Sequence, residues 1–286
     1  MPARRLVHPR CHLVWRSKSK AFSRLTSLPT SFLGEPIVHR GLHDLANGVQ
    51  ENSRPSFEAA IKAGYGIELD LQLSSDGEAI VFHDYMLDRI TDESGPIHMR
   101  TAAEIRQIRL KVSNDPIMDL PDFLELVNGQ VPLLIEMKDQ DGALGPNVGR
   151  LERRVAELLA EYRGEAVAMS FNPHSIALMY SIAPNIPRGL TTSDFNAQRW
   201  PMLPRKRAEE VINIPDFDRT GACFISHDHR CLDAAPVTAL RERGVPILCW
   251  TVRSPEEEIK ARLLADNITF EGYIPLKQPQ PEDADV

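Results

Sequence analysis

From residue 36 onward the chain alternates two kinds of stretch: short apolar runs, and longer segments whose apolar positions recur at helical spacing. The runs are "PIVHR" (36–40), "GIELDLQL" (66–73), "AIVFHD" (79–84), "PLLIEMK" (132–138), "AVAMSF" (166–171), "RGLTT" (188–192), "CFISHD" (223–228) and "VPILCWTV" (245–252). Runs of that length, bounded by glycine, proline and charges, predict buried parallel strands. Between them, "SRPSFEAAIKAG" predicts a helix with Ser53 as N-cap, Pro55 in the first turn and Gly64 as C-cap. "RLERRVAELLAEYRG", "APVTALRERG" and "SPEEEIKARLLA" follow the same grammar. Eight strands with helices between most of them predict a TIM (β/α)8 barrel forming a single domain. A doubly wound sheet is the alternative, for which eight equivalent strands are many. Strands two and three are joined by the tight turn Ser75-Asp76-Gly77 instead of a helix. The stretch 85–131 reads as a short insertion between strands three and four, with helices in "TAAEIRQIRL" and "LPDFLELVN".

Composition narrows the class. A formal net charge of −7 supplies no field for gathering phosphates along a polymer, so no nucleic-acid partner is expected. No apolar run reaches the roughly 18–20 residues of a membrane-spanning helix. Four cysteines without a Cys-x-x-Cys pair suggest a reducing, cytoplasmic setting. Residues 1–33 hold seven Lys/Arg and no acid, and read as a basic extension. An organellar transit peptide or a peripheral membrane-surface segment has the same composition. Residues 277–286 read as a disordered acidic tail, leaving 34–276 for the barrel.

Charge is unusual where it falls inside the strands. The first ends in His39-Arg40 and the third in His83-Asp84, while Glu68 and Asp70, and again Glu136 and Lys138, are spaced i, i+2. Such pairs point to one side of a strand, and strand ends in a barrel converge on one mouth. Three buried carboxylates are costly unless a cation sits among them. Hard oxygen donors with no cysteine select Mg²⁺ or Ca²⁺. Two histidines suit proton transfer near neutral pH, and Arg40 and Lys138 suit a phosphate. Together they fit phosphate-ester cleavage. The quartet Cys223, His227, His229 and Cys231 mimics a zinc cluster, but its spacing matches no common structural zinc pattern.

These residues fall into a longer ordered set: His39-Arg40-Gly41, Glu51-Asn52, Phe57, Ala60, Gly64, Glu68-x-Asp70, "SSDGEAIVFHDYMLDRIT" (74–91), Pro121, "LLIEMK" (133–138) and "CWTV" (249–252). Over roughly 34–276 the chain resembles the glycerophosphodiester phosphodiesterase family, whose fold is a TIM barrel. The resemblance implies metal-dependent hydrolysis of glycerophosphodiesters to sn-glycerol 3-phosphate and an alcohol. It implies one divalent cation on Glu68, Asp70 and Glu136, and His39 with His83 as the acid–base pair. Arg40 and Lys138 would clamp the phosphate, and Trp250 would form an apolar wall for the glycerol. Glu51 and Asn52 would support the site, Asn52 near the phosphate or His39. The chain departs from the family pattern at Arg253 and in "ITFEGYIP" (268–275), where Glu271 is expected on substrate hydroxyls. The short insertion suggests small, soluble head groups. Two rival readings keep the fold: cleavage of lysophospholipids at a membrane surface, served by the basic N-terminus, and a non-catalytic binding module.

Overall fold

The structure, a computed structural model, describes residues 26–275. The readings made for 1–25 and 276–286 lie outside the described residues.

Nine strands form one sheet: β1 Ile37–His39, β2 Gly66–Leu73, β3 Ala79–Val81, β4 Leu133–Met137, β5 Ala166–Ser170, β6 Arg188–Thr192, β7 Phe224–Asp228, β8 Ile247–Val252 and β9 Asn267–Phe270. Eight of them are parallel and closed in the order β1-β2-β4-β5-β6-β7-β8-β9, with β9 pairing back onto β1. Around them lie α1 Arg54–Ala63, α2 Ala102–Ile105, α3 Leu120–Val127, α4 Arg150–Glu161, α5 Pro173–Ile182, α6 Arg205–Val211, α7 Ala235–Glu242 and α8 Pro255–Ala261. This is the TIM barrel the pattern predicts, and α1 carries the expected ends: the Ser53 side chain accepts from Ser56 N, and Gly64 is left-handed.

The count of eight is right but its membership is not. The third run, β3, pairs antiparallel with β2 and lies outside the closed ring. The eighth barrel place belongs to β9, "NITF", which the periodicity misses. Both corrections have one physical cause. A run of three buried residues looks the same in a hairpin arm as in a barrel stave, while β9 alternates polar and apolar residues that are all buried.

Strand parity then decides where everything points. One face of the strands (Val38, Ile67, Leu69, Ile135, Ile225, Phe270) meets the helices, through residues such as Phe57 and Leu151. The other face fills the barrel, and its lower layer is the apolar cluster of Ile37, Leu134, Val167, Phe224 and Leu248. Gly189 of β6 makes room for that layer, because a Cβ there would stand 2.4 Å from the Phe224 ring. Two residues further along the same face the apolar layer gives way to His39, Glu136 and Trp250.

Residues 26–33, assigned to the basic extension on composition, contribute to this base: Leu28 and Phe32 are buried in the same apolar cluster. Asn267 Nδ2 donates to Phe32 O and Glu35 O at 2.8 and 2.9 Å. The insertion has its own small core (Phe82, Leu87, Ile97, Ile105, Leu110), whereas α3 packs into the main core through Leu120 and Phe123. Among the described residues, no helix is long and apolar enough to cross a membrane.

Candidate active site

The first barrel strand ends at His39, where His39 and Arg40 reach the mouth of the barrel. Arg40 N donates to Glu68 O of β2 at 2.9 Å, and Arg40 then turns into the left-handed region (φ 57°). Gly41 follows at φ 77° with its Cα pressed on α1, where a Cβ would lie 2.9 Å from Ser56 Cβ and 3.0 Å from the Phe57 ring. Only glycine fits a left-handed position so close to a helix. Asn52, also left-handed at φ 52°, donates its N–H back to Arg40 O at 2.9 Å. Two non-glycine residues, linked by that hydrogen bond and each held there at a cost of order 1–3 kcal/mol, mark an over-determined corner.

Above the apolar layer, Glu68, Asp70 and Glu136 each offer an oxygen within 4.8 Å of the others, all three side chains buried. Register explains the grouping: Asp70 stands opposite Glu136 across β2 and β4, and Glu68 opposite His39 across β2 and β1. Two cations face them. Arg40 Nε lies 3.0 Å from Asp70 Oδ2, and Lys138 Nζ lies 3.0 Å from Asp70 Oδ1 and 2.7 Å from Glu136 Oε1. Burial alone would raise the Asp70 carboxyl, but Lys138 and Arg40 hold it well below the usual carboxylate range. Burial pushes Glu68 the other way, well above that range, helped by the negative charges of Asp70 and Glu136. Burial would lower Lys138, and the charges of Asp70 and Glu136 raise it instead. A buried carboxyl raised by two like charges, in an all-oxygen donor set, fits a hard divalent cation.

The antiparallel hairpin explains how His83 reaches this mouth. Strand β2 runs past the barrel rim to Leu73, and β3 returns alongside it until Phe82 N donates to Asp70 O at 3.0 Å. His83 therefore comes back to the level of the carboxylates, its carbonyl fixed by Gln72 Nε2 at 2.9 Å. His83 Nδ1 lies 2.5 Å from Asp84 Oδ1. Arg89 binds Asp84 through Nε at 2.5 Å and binds Glu51 through NH1 and NH2 at 2.9 and 2.6 Å. Glu51 in turn accepts from Arg40 NH1 at 2.8 Å. Burial would raise Asp84, but His83 and Arg89 hold it far below its ordinary value. Arg89 escaped the sequence reading although it stands in the "HDYMLDR" stretch; its offset of five from Asp84 was the available signal.

On the opposite rim His39 Nδ1 is paired with Glu271 Oε2. Burial first, and the Arg40 charge second, lower the His39 pKa to about 4 against the pull of Glu271. Glu271 also accepts from Arg253 Nε at 2.7 Å. Burial would raise this carboxyl, but His39, His43 and Arg253 hold it far below the usual range.

The mouth is a cavity of about 740 Å³. Of the predicted residues His39, Arg40, Glu68, Asp70, His83, Glu136, Lys138 and Trp250 line it; Glu51, Asn52 and Glu271 stand behind. Asn52 Nδ2 donates to Asp70 Oδ2 at 3.2 Å, so its amide braces a carboxylate. Glu271 turns to His39 and Arg253, with both its oxygens engaged by imidazole or cationic donors. In β7, His227 lies 2.7 Å from Thr192 Oγ1 and 3.2 Å from Cys231 Sγ.

A model described as the "Glycerophosphoryl diester phosphodiesterase family" matches residues 39–269. A glycerophosphodiester phosphodiesterase of Caldanaerobacter subterraneus is 31% identical over 236 residues, covering 77% of this chain and 86% of that protein. One of Bacillus subtilis is 29% identical over 262 residues, 83% of each chain. Among solved structures, an Oleispira antarctica phosphodiesterase in complex with the product sn-glycerol-3-phosphate superposes with a TM-score of 0.68 at 22% identity, covering 84% of this chain and 94% of that one. A Thermotoga maritima glycerophosphodiester phosphodiesterase superposes with a TM-score of 0.61 at 21% identity, over 82% and 94%.

Proposed function

The chain belongs to the glycerophosphoryl diester phosphodiesterase family and is a phosphoric diester hydrolase; from that premise we propose that it hydrolyses glycerophosphodiesters to sn-glycerol 3-phosphate and an alcohol, with His39 and His83 as its proton carriers. The observation that carries the reading is the meeting of three carboxylates, two cations and both histidines on one mouth. The product named for the Oleispira neighbour is consistent with it.

A divalent cation, Mg²⁺ or Ca²⁺, held by Glu68, Asp70 and Glu136 would draw charge from the phosphoryl oxygens and so make phosphorus more electrophilic. Arg40 and Lys138 supply donors for the remaining phosphoryl oxygens, and Glu51 aims Arg40 by accepting from NH1. Each histidine has a carboxylate on Nδ1, Glu271 for His39 and Asp84 for His83. That arrangement fixes the ring and leaves Nε2 as the nitrogen that exchanges a proton. One imidazole removes the proton of the attacking oxygen, which is the glycerol 2-hydroxyl or water. The other delivers a proton to the departing alcohol oxygen as the P–O bond breaks. Trp250, its Nε1 donating to Ser226 O at 3.0 Å, presents an apolar face to the glycerol carbons.

The test is incubation of the protein with glycerophosphocholine and Mg²⁺ or Ca²⁺. Glycerol 3-phosphate should appear, and its release should stop in EDTA and in His39→Ala. Full activity in a metal-stripped Glu68→Gln/Asp70→Asn protein would sink the assignment of those carboxylates.

A further inference from the structure

We infer that Arg253 is a positioning residue for His39, acting through Glu271 from the far side of that carboxylate; this rests on the reading of His39 as a proton carrier. The observation is how the two Glu271 oxygens are shared. Oε2 is paired with His39 Nδ1, and Oε1 accepts from Arg253 Nε at 2.7 Å. A glutamate side chain has ample rotamer freedom, so a carboxylate held by the ring alone would turn. His43 gives it somewhere to turn to: its Nε2 is buried without a hydrogen-bond partner and stands 3.6 Å from the same Oε2. With Oε1 fixed by the guanidinium, Oε2 stays on His39.

The three members come from neighbouring staves of the barrel. His39 ends β1, Glu271 follows β9 and Arg253 follows β8, and β9 pairs with both of the other strands. The ladder continues one step past the strand ends, where Glu271 N donates to Val252 O at 3.0 Å. Arg253 is itself fixed at two further points. Its main-chain N–H donates to Glu257 Oε2 of α8 at 2.7 Å, and its NH1 donates to Thr251 O at 3.2 Å. Rigid main chain therefore reaches the imidazole through one ion pair.

Stability does not explain that pair, since the Arg253 side chain is 56% exposed and ion pairs so open to solvent contribute little. The same arrangement stands behind the other histidine. Arg89 Nε donates to Asp84 Oδ2 at 2.5 Å, while Asp84 Oδ1 lies 2.5 Å from His83 Nδ1. His83, Asp84 and Arg89 come from the hairpin and the insertion, so the two arginine–carboxylate–imidazole chains share no segment. Their recurrence at both proton carriers points to the ring, and not to a local loop, as what is being held. Arg253 also lines the mouth, so a direct contact with substrate is the competing role. That role would act on binding, whereas positioning acts on rate.

The test combines a spectroscopic and a kinetic reading in the full chain with Mg²⁺ present. With ¹⁵N-labelled histidine at neutral pH, the His39 signals, assigned by their loss in His39→Ala, should show the proton fixed on Nδ1. In Arg253→Gln the two ring nitrogens should move toward each other as both tautomers become populated, and Arg253→Lys should fall between. With glycerophosphocholine, Arg253→Gln should lower kcat about tenfold, short of the ~10²-fold cost of an ångström's misplacement, and leave KM within about twofold. Adding Arg253→Gln to Glu271→Gln should cost nothing further, because the two act as one unit. A His39 tautomer that is unchanged in Arg253→Gln, or already mixed in the wild type, overturns the inference. So does a KM rise at unchanged kcat, or a loss that adds in full to that of Glu271→Gln. Failure of the wild type to release glycerol 3-phosphate would overturn the hydrolytic reading instead, and the tautomer comparison would still decide whether Arg253 sets the ring.

Discussion

Arg89 holds two carboxylates at once, and each serves a different half of the site. Through Asp84 it fixes the carboxylate on His83 Nδ1; through Glu51 it fixes the acceptor of Arg40 NH1. A planar guanidinium can satisfy both, whereas a lysine ammonium is a point donor that cannot fork. Since its side chain is 46% exposed, Arg89 contributes little to global stability. Arg89→Ala should therefore lower kcat by about 10²-fold, the cost of misplacing reacting groups by an ångström or so. The melting temperature should move by no more than a degree or two, and Arg89→Lys should recover only part of the rate. A large fall in melting temperature with kcat intact would make Arg89 merely structural. At this scale the sequence shows which residues have the chemistry but not whom they meet. His39 and Glu271 are 232 positions apart, and no local pattern announces that the carboxylate will be spent on an imidazole. The carboxylate trio is legible because strand parity is local: Glu68 and Asp70 must share a face, and neighbouring register supplies Glu136.

Elements are legible where their burial is uniform and ambiguous where an edge or a polar residue intervenes. Strands β2, β4, β5, β7 and β8 follow their apolar runs closely, while β3 and β9 trade roles for the reasons given above. The exchange decides where His83 sits, since the antiparallel arm runs out past Leu73 and returns it beside Asp70. Strand β7 carries a second consequence. His227 is buried, and burial lowers its pKa from 6.5 to about 4 despite the charges of Asp228 and Asp194. The folded protein thus keeps this ring neutral where the unfolded chain would protonate it. The unfolded state binds the extra proton between pH 6.5 and about 4, so stability falls as pH falls through that window. The loss is at most about 1.4 kcal/mol per pH unit from this group. Denaturant titrations of the wild type and His227→Gln should show a shallower acid loss in the variant between pH 6.5 and 4.5. Parallel curves would mean that His227 is not the group responsible.

For the whole molecule, the barrel needs a floor as well as a mouth. Its interior is apolar below and charged above, and water entering from below would solvate the layer that supports the carboxylates. Leu28 and Phe32 supply the floor, with Phe32 fully buried against Ile37, Phe224 and Leu248. The link is also polar: Asn267 of the closing strand β9 spends its amide on Phe32 O and Glu35 O, and Arg188 NH2 reaches Thr26 Oγ1 at 3.4 Å. Composition alone sets a domain boundary near residue 33, because the basic, acid-free stretch runs that far; packing argues that residues 26–33 belong with the barrel. Two shortened chains separate these boundaries. The one beginning at Gly34 loses Phe32 and Leu28 and leaves the Asn267 amide short of an acceptor. Removing a buried phenylalanine alone costs about 3–5 kcal/mol, which for a domain of this size corresponds to roughly 10 °C in melting temperature. It should therefore melt about that far below the chain beginning at Thr26, and Phe32→Ala in the full-length protein should reproduce most of the drop. Equal melting temperatures for the two shortened chains would show that the barrel closes without this floor.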